Sequence, residues 1–352
     1  MQEQNYIELG SEFWLENGQS AERIYVLSGR TAIDLILQDM MSCGQQIKSV
    51  YMPAYCCDSM LQPFIDNRVI IQLYDISYKE GKLFYDIDVD KKTDILYLNN
   101  YFGYDSFFPI DVIQLFRKKG TTIIYDRTHS LLREDSQIQA LSDYTFASIR
   151  KWMGVPCGAF VSKHSGELFH ASLKDCPYLK EKVEAMMQKG AYMKGDNTID
   201  KQCFLNLYKS FNHHLAEDYR YYKIDDLSWN IWNSSDLQSI KRQRCKNATY
   251  LYSELEKVPQ IKTLFTISGE DCPLFVPVIF ETSNVRDDVR KFLTSKSIYC
   301  PIHWPKPQVV DPTLKVNCLY DRELSLLCDQ RYGIMDMQRI VETIIDFFEN
   351  KQ

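Results

Sequence analysis

The chain has no apolar run approaching the roughly 20 residues of a membrane-spanning helix, so no membrane span is expected. Its opening residues, Met1 to Asn5, are polar and carry no basic segment leading into an apolar core. A secretion signal is therefore not expected, and the location expected is the cytoplasm. No Cys-x-x-Cys pair occurs, the eleven cysteines are odd in number, and the adjacent pair Cys56-Cys57 is poorly placed to bridge. Those spacings argue for reduced thiols and against a structural zinc. Glycine patterns of the G-x-G-x-x-G and Walker A kinds are missing, which removes the usual signatures of a nucleotide-binding α/β protein. Net charge is -6 with both signs scattered, so there is no basic footprint for nucleic acid. Internal repeats, low-complexity stretches and flexible linkers are also lacking.

What remains is an ordinary globular composition, 45% hydrophobic and 25% charged over 352 residues, enough to bury a large core in two domains. From Ile24 to about Phe160, short apolar runs alternate with helical patterns. Residues 47–52, 69–74, 95–98 and 122–125 read as strands, while 31–41, 59–67 and 110–119 carry helical periodicity. Such alternation predicts a mostly parallel sheet covered by helices. After Val161 the pattern is charged and helical to about Phe211, and a long helix is predicted from Ser235 through Leu255. The last hundred residues predict strands near 274–280 and 298–300 and a closing helix from Asp336 to Phe348. The expected division is a large domain over 1–240 and a smaller α+β domain over 241–352.

Two blocks carry the chemistry. Asp126-Arg127-Thr128-His129 follows the strand-like run ending at Tyr125, and Ser148-Ile149-Arg150-Lys151-Trp152 follows the run ending at Ala147. In open α/β sheets, ligands bind beyond the carboxyl ends of the strands, where both blocks fall. An acid, an imidazole and a lysine at neighbouring strand ends are the groups that pyridoxal phosphate (PLP) chemistry needs. Lys151 could form a Schiff base if its apolar flanks, Phe146, Trp152, Met153 and Val155, keep its amine neutral; the bland alternative is a surface lysine. Asp126 could pair with a pyridinium nitrogen, or it could cap the next turn. His129 could contact the cofactor's phenolic oxygen or ring, and Ser148 its phosphate; an ordinary buried imidazole and a loop serine are the alternatives. Gly29, Arg30 and Thr31 open a helix, and free amides there suit a phosphate, although capping explains them equally well. Tyr55 could cover a ring face or simply pack in the core. The run Tyr101-Phe102-Gly103-Tyr104 could wall the pocket or anchor its own loop.

These blocks, in this order, resemble the DegT/DnrJ/EryC1/StrS aminotransferases. The resemblance lies in Ser28 to Ala32, Tyr51 to Tyr55, Asn100 to Tyr104, Asp126 to His129 and Ser148 to Trp152. It continues through Lys241 to Ala248, Ile298 to Trp304 and Leu324 to Gly333. It implies the PLP-dependent transferase fold type I and Lys151 in the Schiff-base position. It also implies a ping-pong transfer from an amino donor such as glutamate to a keto or aldehyde acceptor, a nucleotide-linked keto sugar among them, and a homodimer. Two features depart from the family pattern. Residues 190–225 do not show its glycine-rich loop with asparagine and arginine, and its glycine pair after the lysine stands only as Cys157-Gly158. A family branch of sugar dehydratases carries histidine in place of the lysine, and Lys151 argues against it. A PLP-binding regulatory or sensor protein without turnover is the alternative left open. For substrate, Arg331 is the candidate contact, with His303, Trp304 and Tyr332 as further residues that could face the cleft.

Overall fold

The computed structural model describes residues 23–105, 107–169 and 172–349. Strand β1 (Arg23–Val26) leads into helix α1 (Gly29–Ser42), then β2 (Ser49–Pro53), α2 (Asp58–Asp66), β3 (Ile70–Lys79) and β4 (Lys82–Asp86). There follow β5 (Ile95–Asn99), α3 (Ile110–Lys118), β6 (Thr122–Asp126), α4 (Ser136–Leu141), β7 (Tyr144–Ser148) and β8 (Ala159–Lys163). The eight strands form one sheet in the order β1-β8-β7-β6-β5-β2-β3-β4. Its centre, from β3 through β2, β5 and β6 to β7, is parallel, and antiparallel pairs close both edges.

Burial explains why the central strands read as continuous apolar runs. Every residue of β5 and β7 is buried, because helices or other chain segments cover both faces. The edge strand β4 instead alternates exposed and buried residues. The sequence reading stopped β3 at residue 74 and did not find β4. The two are joined by Glu80 and Gly81, both at positive φ (50° and 74°), the two-residue turn whose twist suits a hairpin.

The remainder is helical before a small sheet. Helices α5 (Leu179–Met193), α6 (Lys201–Glu217), α7 (Asp226–Ser234) and α8 (Leu237–Leu255) precede β9 (Lys262–Thr263) and β10 (Val276–Ile279). Then come α9 (Ser283–Ser295), α10 (Asn317–Arg322), β11 (Glu323–Leu326) and α11 (Ile334–Glu349), with the strands ordered β11-β10-β9, all antiparallel. Residues 298–300, expected as a strand, form a loop. Ile298 closes α9 by donating its N–H to Leu293 O, and Ile298 and Cys300 are buried as anchors, so their apolar character reports burial rather than pairing.

The expected boundary at 240/241 falls inside α8, and one apolar cluster crosses it, joining Leu96 and Tyr101 to Val278, Leu324 and Ile344. The loop after β5 fastens the two parts together. Cys272 N donates to Gly103 O (3.0 Å) and Leu274 N to Phe102 O (2.8 Å). Gly103 has φ +83°, and a Cβ there would lie 1.9 Å from Cys272 O, so only glycine fits. No described helix is long and apolar enough to cross a membrane. All eleven cysteines are free thiols.

Candidate active site

A cavity opens at the carboxyl ends of β5, β6 and β7, beside the N-terminus of α1. Its walls include Gly29, Arg30, Cys57, Asn99, Asp126, His129, Ser148, Arg150, Lys151 and Trp304. Seven of the residues singled out from sequence thus meet in one place: Gly29, Arg30, Asp126, His129, Ser148, Lys151 and Trp304. Among the described residues, no group of three or more His, Cys, Asp or Glu side chains could hold a metal ion.

Asp126 ends β6 almost fully buried. Its carboxylate accepts from the Tyr97 hydroxyl (2.7 Å) and the Thr128 N–H (2.7 Å). Burial pushes its pKa up, opposed by those two donors and by Lys151. Lys151 closes a 3₁₀ turn (Ile149–Lys151) directly after β7. Its side chain is accessible through the cavity yet enclosed by protein. Enclosure and the neighbouring Arg150 and Arg30 lower its pKa, while Cys57 and Asp126 act in the opposite sense. The result is an amine more easily deprotonated than a surface lysine, in the same cavity as a buried acid.

His129 Nδ1 accepts from Phe102 N (3.4 Å), which leaves the proton on Nε2. Burial, His303 and Lys151 hold its pKa well below the ordinary value, so the ring is neutral. It lies 5.2 Å from Trp304, tilted by 31°. At the other side of the cavity, Ser28 caps α1, its Oγ accepting from Thr31 N (3.3 Å). Ser148 Oγ and Arg30 Nε are buried without a hydrogen-bond partner among the described residues. A Cβ on Gly29 would meet only Ser148 Cβ, at 3.8 Å, and Phe146 Cε2, at 3.9 Å. A helix N-terminus, an unpaired hydroxyl and an arginine therefore converge on one spot, as an anionic group would require.

Three residues expected at the site lie elsewhere. Thr31 spends its hydroxyl internally, donating to Tyr219 O (2.7 Å), and serves the start of α1 rather than the cavity wall. Tyr55 is fully buried behind the cavity, among Tyr101, Phe102, Trp304 and Tyr320, with its hydroxyl donating to His303 O. Tyr55 follows β2 by two residues and its ring lies in the core; Trp304 and His129 line the cavity instead. Arg331 is outside the wall, held by Asp329 through two 2.8 Å hydrogen bonds and stacked 5.2 Å from the Tyr332 ring.

The sequence reading also missed the braces that fix the lysine turn. Trp152 Nε1 donates to Thr128 O (2.7 Å), and Ser148 N donates to Thr128 Oγ1 (3.2 Å), tying the Lys151 block to the Asp126 block. From α8, Arg244 lies 4.7 Å over the Trp152 ring and donates to Trp152 O (3.3 Å), Pro273 O (3.2 Å) and Leu274 O (3.1 Å). Gln330 Nε2 adds a bond to Trp152 O (2.6 Å). Arg244 belongs to the block Lys241 to Ala248 and Gln330 to the block Leu324 to Gly333, both noted above for their resemblance and the only signal of these braces.

No family model matches the chain, and no curated protein matches it in sequence. Solved structures do. A DegT DnrJ EryC1 StrS aminotransferase from Brucella abortus aligns with TM-score 0.61 and 14% identity, over 93% of this chain and 86% of that one. Spr1654 from Streptococcus pneumoniae, solved in a PLP form, gives 0.63 and 14%, over 92% and 86%. DesV of S. venezuelae, in complex with a ketimine intermediate, gives 0.62 and 16%, over 92% and 84%. The fold is the one these proteins share. It is the fold type I of PLP-dependent transferases that the resemblance implied, and at these identities the likeness speaks for the fold alone.

Proposed function

We propose that the protein is a PLP-dependent aminotransferase. The observation that carries this reading is the convergence of Lys151, Asp126, His129 and the Ser148 hydroxyl, unpartnered among the described residues, on one cavity at the start of α1. When bound, PLP supplies an electrophilic carbonyl and a ring that draws electrons from the substrate's α-carbon. The residues present fit it: Ser148, Arg30 and the first amides of α1 would hold the phosphate, Asp126 the ring nitrogen, and His129 the ring face or its phenolic oxygen. Tyr97 and Thr128 orient the Asp126 carboxylate and exclude water from it. Lys151 provides the nucleophilic Nζ. Its lowered pKa favours the unprotonated amine, so that same atom is available to take a proton from the substrate carbon and return it.

The amino donor in this reading is glutamate, and the acceptor is a keto or aldehyde compound, with a nucleotide-linked keto sugar the leading class. The solved aminotransferases of the same fold support the reaction type. A homodimer is part of the proposal, as are a PLP-binding unit over 1–240 and a smaller C-terminal unit. The test is borohydride reduction after incubation with PLP, followed by peptide mapping. A reduced adduct on Lys151, together with conversion to the amine form of the cofactor by glutamate in a single turnover, is expected. An adduct without that half-reaction would point to the non-catalytic sensor, and no adduct would remove PLP from the account.

A further inference from the structure

Behind the cavity wall, a carboxylic acid, a hydroxyl and an imidazole form an unbroken chain. Glu323 and Ser325 lie on β11, both fully buried, and His303, in the loop between α9 and α10, is nearly so. Glu323 Oε2 accepts from His303 N (3.0 Å), Glu323 Oε1 meets Ser325 Oγ in a short hydrogen bond, and Ser325 Oγ meets His303 Nδ1 at 2.8 Å. The His303 ring sits 5.5 Å from His129 and 5.5 Å from Trp304, two residues of the cavity wall. With Nδ1 engaged, Nε2 is the ring nitrogen left to interact.

We propose that Glu323, Ser325 and His303 form a buried proton relay, in which the protonation state of Glu323 fixes the His303 tautomer. Proton counting gives the two states. When Glu323 is neutral, its O–H donates to Ser325 Oγ, the serine O–H donates to His303 Nδ1, and the imidazole proton resides on Nε2. When one proton leaves, each hydrogen in the chain moves one step. The glutamate proton passes to the serine oxygen, the serine proton passes to Nδ1, and the proton on Nε2 departs. Glu323 is then a carboxylate accepting from Ser325, and Nε2 has become an acceptor. Three exchangeable protons become two, and the one lost leaves from the imidazole rather than from the acid.

The surroundings suit this exchange. Burial pushes the Glu323 carboxyl up to about 8, against the pull of Ser325, His303 N–H and Arg286. Arg286, on α9, aims its guanidinium at Tyr320 O (3.2 Å), Glu323 O (3.0 Å) and Asp287 (2.6 Å), and among the described residues no cation pairs directly with the Glu323 carboxyl. Tyr55 after β2, Tyr320 of α10 and Cys300 of the preceding loop also stand near, and burial raises the pKa of each, so all three are neutral. Burial and Lys151 push the His303 imidazole down to about 3, so it changes tautomer without becoming a cation.

The relay stands on this hydrogen-bonded chain; its use, presenting a donor or an acceptor nitrogen beside the reacting groups, rests on the PLP reading. Glu323 and Ser325 would then be positioning residues acting through His303. The test is nitrogen NMR of the full-length protein labelled in its six histidines, with and without added PLP, and with His303→Asn to assign the signal. His303 is expected to carry its proton on Nε2 at about pH 6.5 and on Nδ1 at about pH 9.5. Glu323→Gln, whose amide can only donate to Ser325 while its oxygen serves His303 N–H, should hold the Nε2–H form throughout. Ser325→Ala, a second variant in case the first does not fold, should abolish the exchange. A single tautomer in the native protein, or an exchange that persists in either variant, overturns the relay. Absence of a PLP adduct on Lys151 would overturn the proposed function and leave this result standing.

Discussion

One wall of the cavity comes from two contiguous blocks, residues 126–129 and 148–151, each hanging from the end of a parallel strand. The other wall, at Trp304, hangs from a loop of the C-terminal part; the preceding residue, His303, stands behind it and is bonded to β11, about twenty positions further on. The first wall holds its reactive groups by position in the sheet, with bonds within the blocks or between their adjacent strands completing it: Thr128 to Asp126, two residues away, and Ser148 to Thr128, from the neighbouring strand end. The second holds them through long-range contacts such as His303 to Glu323 and Tyr55 to His303. Chemistry set by strand ends leaves a local pattern in the sequence, whereas chemistry assembled across a domain does not.

Substitutions on the first wall should have the larger effects. Lys151→Ala is expected to lower the donor half-reaction by about four orders of magnitude, the upper end for a lost proton-transfer group, without unfolding the protein. Stopped-flow absorbance with glutamate checks this, and a rate within tenfold of the native one would refute it. Gly103→Ala tests the fastening between the two parts. Its Cβ would overlap Cys272 O, and a loss of more than about 4 kcal/mol in denaturant unfolding is expected. Asp126→Asn should slow the half-reaction by roughly two to three orders of magnitude, because the developing charge loses its buried counterpart.

On the second wall, effects should be smaller and pH-dependent. The Glu323 carboxyl is raised in the folded state, so between the unfolded value near 4.5 and about 8 the native protein binds more protons than the unfolded chain. Stability from this group is full below that window and is lost as pH rises through it. Glu323→Gln should therefore gain on the native protein in melting temperature from pH 6 to about pH 9, and equal slopes for the two would contradict the burial of a neutral acid. Arg331→Ala is the smallest change expected. The guanidinium is largely exposed and bound to Asp329, so both stability within about 1 kcal/mol and an unchanged donor half-reaction are anticipated.

The same contrast governs what could be read from the sequence. Parallel strands buried on both faces give apolar runs, and β2, β5, β6 and β7 were legible for that reason. So were Asp126, His129, Ser148 and Lys151, which follow those runs directly. The short strand β11 was not found, because Glu323 and Ser325 interrupt its apolar character although both point into the interior. Tyr55 misled for a related reason: an aromatic residue after a strand is the same in sequence whether its ring enters a cavity or the core. Arg331 gave no sign of Asp329, two residues away, as its partner. Arg244 and Gln330 brace Trp152 from 92 and 178 residues away, a separation no local pattern records.

The central claim is that Lys151 is the residue that holds PLP. Incubation of the purified protein with PLP, reduction with borohydride and peptide mapping test it most directly. The account predicts a single modified lysine, Lys151, lost in Lys151→Ala. A modification spread over surface lysines, or none above background, would contradict it.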